Sequence, residues 1–293
     1  MEHRQQIREF LVSRRARLTP EDAGLPTFGG TRRVPGLRRE EAAALAGVSV
    51  DYYTRLERGD VVAASEQVLD GLCRALALDD AERAHLVDLI RAGSDARRAP
   101  RRNPSRQAPT SVQRMLDSMD SAPAFVSNSR LDLVATNRLC AALYAHLDEH
   151  TGAAVNLARY TFLDPRATTF YPEWDQVAEM TVALLRASAG KDPYDKQLTD
   201  LVGELVTRSD WFRRRWAAHH VQRHTSGRKR IHHPLVGDLE LDFDSMDLAA
   251  DPTLTITVYT TVAGSASEDA LRLLGDWTAP ASSPPHAHDV GVA

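Results

Sequence analysis

The stretch with the clearest chemistry is SVDYYTRLER, Ser49 to Arg58. As a helix it would carry hydrogen-bonding side chains on its outer, N-terminal turns. Arg55 has a planar fork of donors that matches the O6 and N7 acceptors of guanine. Asp51 can accept from cytosine N4, Val50 can meet a thymine methyl, and Tyr52 and Thr54 lie beside them. Arg58 is placed for a phosphate. Ser49 is an N-cap residue, whose hydroxyl accepts a backbone N–H of the following turn. It also brings the N–H groups of the helix start toward a phosphate. Side chains of these types on the first turns of one helix suit the base edges of a DNA major groove.

Such a helix needs a partner that presents it. Arg38 to Ala46 is rich in Arg, Glu, Ala and Leu, which are strong helix formers. Gly47 then ends the run and Ser49 opens the next. Ala43, Val48, Tyr53 and Leu56 face inward and set two helices at a steep angle. Spacing alone leaves an ordinary αα-hairpin open. The pattern A-x-x-A-G-V-S-x-x-Y-x-x-R-L-E-R-G, however, resembles the helix-turn-helix of the xenobiotic-response-element and phage-repressor class. The longer run GLRREEAAALAGVSVDYYTRLERG, followed by SEQVLDGLCRALALDDAERAHL, resembles the MmyB-like branch of that class. The resemblance places a phosphate contact at Arg39, at the start of the first motif helix. It makes Tyr53 a packing residue. Glu57 is expected to pair with an arginine of the first helix.

Charge is consistent with a DNA reader joined to something else. The net charge is −4 over 293 residues, but residues 1–109 hold 19 of the 36 basic and 16 of the 40 acidic side chains. The first part is therefore basic and the rest acidic. No apolar run approaches a membrane span and the start of the chain is charged, so a cytoplasmic protein is expected. Cys73 and Cys140 are far apart in sequence, as free thiols in a reducing compartment would be.

Around the motif, Ile7, Phe10, Leu11 and Leu18 line a first helix from about Arg4. Residues 24–36 are dense in Gly and Pro and read as a loop. In it, Arg32 and Arg33 either reach phosphates or an adjacent minor groove, or form a solvated basic loop. Ser65 caps a fourth helix and Asp79 a fifth, which Gly93 is expected to end. Residues 94–109, SDARRAPRRNPSRQAP, have the composition of a flexible basic linker.

The second half opens with a short helix at Val112–Ser118. Two short strands follow, Ala124–Ser127 and Leu131–Ala135, and then a helix capped by Asn137. Amphipathic helices are expected at Trp174–Ala189, around Leu198–Leu205, and from Trp211. The period then changes. Leu239-Glu240-Leu241-Asp242-Phe243-Asp244 and Thr253–Thr261 alternate as neighbouring half-buried antiparallel strands. A helix from Ser267 to about Trp277 closes the chain's last folded unit. The opening strand–turn–strand–helix resembles a PAS domain. The run from FLDPRA through W-x-x-H-x-V, HPLVGDLELDF and TITVYT resembles the ligand-binding module of the MmyB-like regulators.

The expected fold is thus α+β. An all-α five-helix DNA-binding domain with a helix-turn-helix (1–93) and the linker (94–109) precede a PAS-like α/β sensor and dimerisation domain with an antiparallel sheet (110–278). A disordered tail (279–293) follows. The resemblance implies a small apolar, fatty-acid-like ligand, a homodimer and a palindromic double-stranded DNA operator. Candidate pocket residues are Phe125, Leu143, Phe162, Trp211, Trp216, Val221 and Phe243, with His220 or Arg215 as carboxylate partner, though each apolar one is equally a core residue. A dimerisation or partner-protein platform without a small ligand is the alternative. His219, His220, His224, His232 and His233 invite a metal, but the Arg-rich surroundings oppose a cation, and neither metal nor cofactor is expected. No Walker loop, dinucleotide fingerprint, nucleophile elbow or H-E-x-x-H is present, so no enzyme is expected.

Overall fold

In the computed structural model, residues 2–25, 36–60, 64–95, 107–148, 155–217 and 225–277 are described. Most of the expected linker and the whole expected tail, together with Arg32 and Arg33, lie outside them.

The N-terminal part is helical: α1 (Glu2–Arg17), α2 (Arg39–Ala46), α3 (Val50–Glu57), α4 (Glu66–Ala75) and α5 (Asp80–Asp95). Their ends follow local chemistry. Gly47 ends α2 at φ +69°, and its N–H and that of Val48 take up the last carbonyls of the helix. The Ser49 hydroxyl accepts the Tyr52 N–H and starts α3. Ser65 caps α4 through the Val68 N–H. Asp79 and Glu82 exchange side-chain and backbone bonds in a capping box at the start of α5. The expected stop at Gly93 does not occur, since α5 runs on to Asp95. One glycine in a helix costs only about 1 kcal/mol relative to alanine, too little to end it. Ile7, Phe10, Ala43, Tyr53, Leu56, Leu72, Leu86 and Leu89 form the core of this part.

The second part is mixed. It contains α6 (Thr110–Asp117), β1 (Ala124–Asn128), β2 (Leu133–Thr136), α7 (Arg138–Leu143), α8 (Ala145–Asp148), α9 (Leu157–Leu163), α10 (Ala167–Phe170), α11 (Trp174–Lys191), α12 (Lys196–Arg208), α13 (Asp210–Ala217), β3 (Ser226–His233), β4 (Gly237–Leu248), β5 (Asp251–Thr260) and α14 (Ala266–Trp277). The five strands form one antiparallel sheet in the order β2-β1-β5-β4-β3. The expected neighbours are confirmed, with Phe243 opposite Tyr259. Asn137 accepts the Cys140 N–H to start α7, and its amide donates to the Met119 and Ala122 carbonyls, so one side chain holds the strand-to-helix corner.

Strand β3 is not among the strands named from the sequence. SGRKRIHH shows no clean alternation of apolar and polar residues. It is an edge strand paired to β4 along its whole length, with polar cross-strand contacts beside the ladder: Arg228 pairs with Asp242 at 2.9 Å and Glu240 at 2.7 Å, and His232 Nδ1 lies 2.6 Å from Asp238. The sheet is covered on both faces at β1 and β5. Leu116 of α6 packs with Ala124, Val126, Leu254 and Ile256 on one face. Phe125, Phe243 and Tyr259 pack with Leu139, Leu143, Tyr144 and Leu271 on the other. A separate core joins Leu185, Leu198, Leu201, Leu205 and Phe212 of α11 to α13.

Helix α4 crosses α2 closely, and Gly71 makes the crossing possible. A Cβ there would lie 2.3 Å from the Ala46 carbonyl oxygen. Gly71→Ala should therefore lower stability by about 1–3 kcal/mol, the usual cost of overpacking. The measurement is the urea midpoint of the full chain. An unchanged midpoint would show that α2 and α4 do not approach this closely.

Candidate nucleic-acid interface and ligand cavity

Helix α3 is presented by one buried carboxylate. Glu57, at its C-terminal end, is 1% exposed. Its Oε2 accepts from Arg15 Nε of α1 at 3.0 Å, and its Oε1 from Arg39 Nε of α2 at 2.9 Å. The expected pairing of Glu57 is thus met twice. Arg15 also donates to the Leu37 carbonyl at 2.6 Å, which ties down the entry to α2. A second buried carboxylate, Glu82 of α5, takes Arg14 and Arg17 of α1 at 3.0 Å each. Two glutamates therefore tie α1 to both α3 and α5.

The opposite side of α3 is open. Val50 is 48% exposed, Asp51, Arg55 and Arg58 are exposed, and Tyr52 and Thr54 are half-buried. Arg55 and Arg58 have no acidic partner among the described residues, so their donors remain available. The Thr54 hydroxyl donates to the Val50 carbonyl at 2.7 Å. Arg39 differs from the rest. Its guanidinium is engaged by Glu57, so it acts in the support of α3 even though it is half in solvent.

The pocket candidates do not gather around one space. Phe125, Leu143 and Phe243 are packed in the core with Tyr144 and Tyr259. Phe162 and Trp211 stack 5.8 Å apart in the α11–α13 core. Arg215 pairs with Glu179 at 2.9 Å and lies over Trp211. His220 and Val221 lie outside the described residues. Among the described residues no His, Cys, Asp or Glu group could hold a metal ion.

The larger space is elsewhere. A cavity of about 600 Å³ opens between α7–α10 and the β3–β4 turn, with Ala142, Ala145, His146, Tyr160, Arg166, Phe170 and His233 among its lining residues. Its walls are largely apolar and its polar groups converge. His146 Nε2 lies 3.1 Å from the Tyr160 hydroxyl, and Arg166 donates to the His146 carbonyl at 2.9 Å while paired with Asp164. Burial lowers the pKa of His233, though a hydrogen bond that its ring donates to the Ala142 backbone opposes the shift. Burial pushes the Tyr160 phenol up, so it stays a neutral donor. Phe170 borders both the cavity and Tyr144, and so connects the space to the aromatic core. Sequence periodicity could mark Phe170 and Ala142 as buried but could not show that they border a void.

Comparison with known proteins now decides the family. The MmyB-like transcription regulator ligand binding domain matches residues 108–274, and a helix-turn-helix domain matches residues 7–86. The chain belongs to the MmyB-like transcription regulators. The first match covers more than half of the chain and spans the whole five-stranded sheet. The second spans most of α1, all of α2, α3 and α4, and the first seven residues of α5. A search of curated proteins finds no match. Both matching families are regulators rather than enzymes.

The two open arginines should behave differently. Arg55→Ala should relax preference at one or two base pairs, each worth about 1–3 kcal/mol of discrimination. Arg58→Ala should weaken all sequences alike. Competition binding with single-base operator variants separates the two, and equal weakening by Arg55→Ala would make it a phosphate contact.

Proposed function

We propose that this regulator binds a palindromic operator as a homodimer through α3 and responds to a small apolar, fatty-acid-like ligand held in the cavity of its C-terminal part. The observation that carries the DNA reading is the open arginine-bearing face of α3 above the Glu57 clamp. Ser49 caps the helix and brings its first N–H groups toward a phosphate, Val50, Asp51, Tyr52, Thr54 and Arg55 read or approach base edges, Arg58 takes a phosphate, and Arg39 steadies the helix and offers its solvent side to a further phosphate. Arg32 and Arg33, which precede α2 in sequence, are proposed to reach phosphates or an adjacent minor groove. Residues 1–93 form the reader, 94–109 the linker and 110–278 the sensor, and the protein works in the cytoplasm.

The cavity supports the ligand reading. Its volume lies within the roughly 300–1,000 Å³ usual for small-molecule sites, and it is apolar with a few convergent polar groups. Its apolar wall suits a hydrocarbon chain, and the His146, Tyr160 and Arg166 side suits an acid head. Helix α11 of the sensor packs on α5 of the reader. A ligand that favours one sensor conformation can therefore bias the reader through this contact, provided its affinity differs between the two states.

Affinity for a duplex should fall steeply as salt rises, because phosphate contacts release counterions. Fluorescence anisotropy across a salt series reads this, and a flat dependence would count against direct DNA binding. Organic extraction of the purified protein should release an apolar acid. Ala145 is exposed at the cavity wall, so Ala145→Phe should block the space, abolish that recovery and leave the fold intact by circular dichroism. Full recovery from Ala145→Phe would place the ligand elsewhere. No ligand from either protein, and no thermal shift with a lipid panel, would favour a dimerisation platform.

A further inference from the structure

A second, smaller cavity lies where the two halves of the chain meet, and it contains a buried cation that no carboxylate among the described residues contacts as an ion pair. Arg186 of α11 is 6% exposed. Its Nη2 donates to the Trp216 carbonyl, and its guanidinium lies over the Trp216 ring at 4.3 Å. Its Nε is buried and has no hydrogen-bond partner. Among the described residues no carboxylate comes within ion-pair distance of it. Burial, with Arg14 nearby, lowers its pKa to about 10, and Glu9 opposes the shift only in part. The guanidinium still carries its charge at neutral pH.

Charges are seldom buried without a partner, because desolvation is not repaid by a ring face and one carbonyl alone. Arg186 lines a cavity of about 350 Å³. Gln6, His85 and Leu89 border it from α1 and α5; Leu198 and Val202 border it from α12. The acidic groups on its wall already have partners. Glu9 accepts from Gln5, Asp192 from the Tyr194 N–H, and Asp195 from Arg130 and the start of α12. The unmet need is therefore for an anion at Arg186, and the apolar wall beside it is short.

We propose that this cavity binds a small carboxylate with a short apolar body, its carboxylate taken by Arg186 and its body by Leu89, Leu198 and Val202. The site is distinct from the 600 Å³ cavity and does not depend on that cavity's ligand. Because its walls come from both halves, an occupant stabilises the arrangement in which α11 rests on α5, where Gly190 lets the two helices approach: a Cβ there would lie 2.5 Å from the His85 ring.

The test is calorimetric titration of the full chain, after organic extraction, with hexanoate. The parent should bind it at millimolar concentration or below. Arg186→Met should weaken binding by about tenfold or more, the scale of a lost charge-assisted hydrogen bond. Gly203→Leu gives an independent check that leaves the buried cation untouched. Gly203 lines the cavity, and a Cβ there meets no atom within 4 Å, so leucine should fill the space without a clash. It should weaken hexanoate as much, with the melting temperature held or raised. Ala145→Phe should leave hexanoate binding unchanged. The proposal is overturned if the parent takes up no hexanoate, if Gly203→Leu binds it as the parent does, or if only Ala145→Phe loses it.

Discussion

The reading helix depends on the Glu57 carboxylate. Its two oxygens take donors from Arg15 of α1 and Arg39 of α2, so one buried anion fixes the relative positions of three helices. Breaking such a pair leaves a charge or donor unmet, so the arrangement is held by what its loss would cost as much as by what it contributes. Since Glu57 sits on the inward face at the end of α3, the same clamp that anchors the helix turns Val50, Asp51, Arg55 and Arg58 outward. Glu82 repeats the device between α1 and α5 with Arg14 and Arg17. Helix α1 thus contributes Arg15 to the Glu57 clamp and Arg14 and Arg17 to the Glu82 clamp, and so links α5 to α3.

That link gives the contact between α5 and α11 its meaning. The ligand-binding part reaches the helix-turn-helix part through a helix already tied, by way of α1, to α3, the helix proposed to meet DNA. The approach is close because Gly190 has no side chain and His85 fills the space. Arg186 sits in the same contact with Arg14 near enough to be felt electrostatically. A shift of α11 would therefore alter the surroundings of a residue in the Glu82 clamp. The response to ligand proposed above would run through this contact of packing and charge.

The elements that local chemistry determines could be read from the residues. Ser49, Ser65, Asp79 and Asn137 each cap a helix as expected, because the bond to the backbone N–H three residues on is set by neighbours in sequence. Leu239, Leu241 and Phe243 alternate with exposed or half-exposed acids as the strand pattern required. Strand β3 was harder to see, since its residues show no apolar period. The cavities could not be read at all. Phe125, Leu143 and Phe243 are buried as their types demand, yet whether a buried residue meets a neighbour or a void depends on elements far away in the chain. Arg186 did leave a signal: it falls on the apolar stripe of α11 with Val182, Ala183 and Ala189, where a charge has no ordinary place.

The central claim is that α3 reads DNA in a two-fold symmetric complex. Selection of bound duplexes from a random pool by the full chain, followed by sequencing, tests it most directly. The account predicts an enriched palindrome with half-sites separated by about one helical turn or a multiple of it, and loss of the motif when Arg55 is replaced. No enrichment, or a single asymmetric half-site that survives Arg55→Ala, would contradict it.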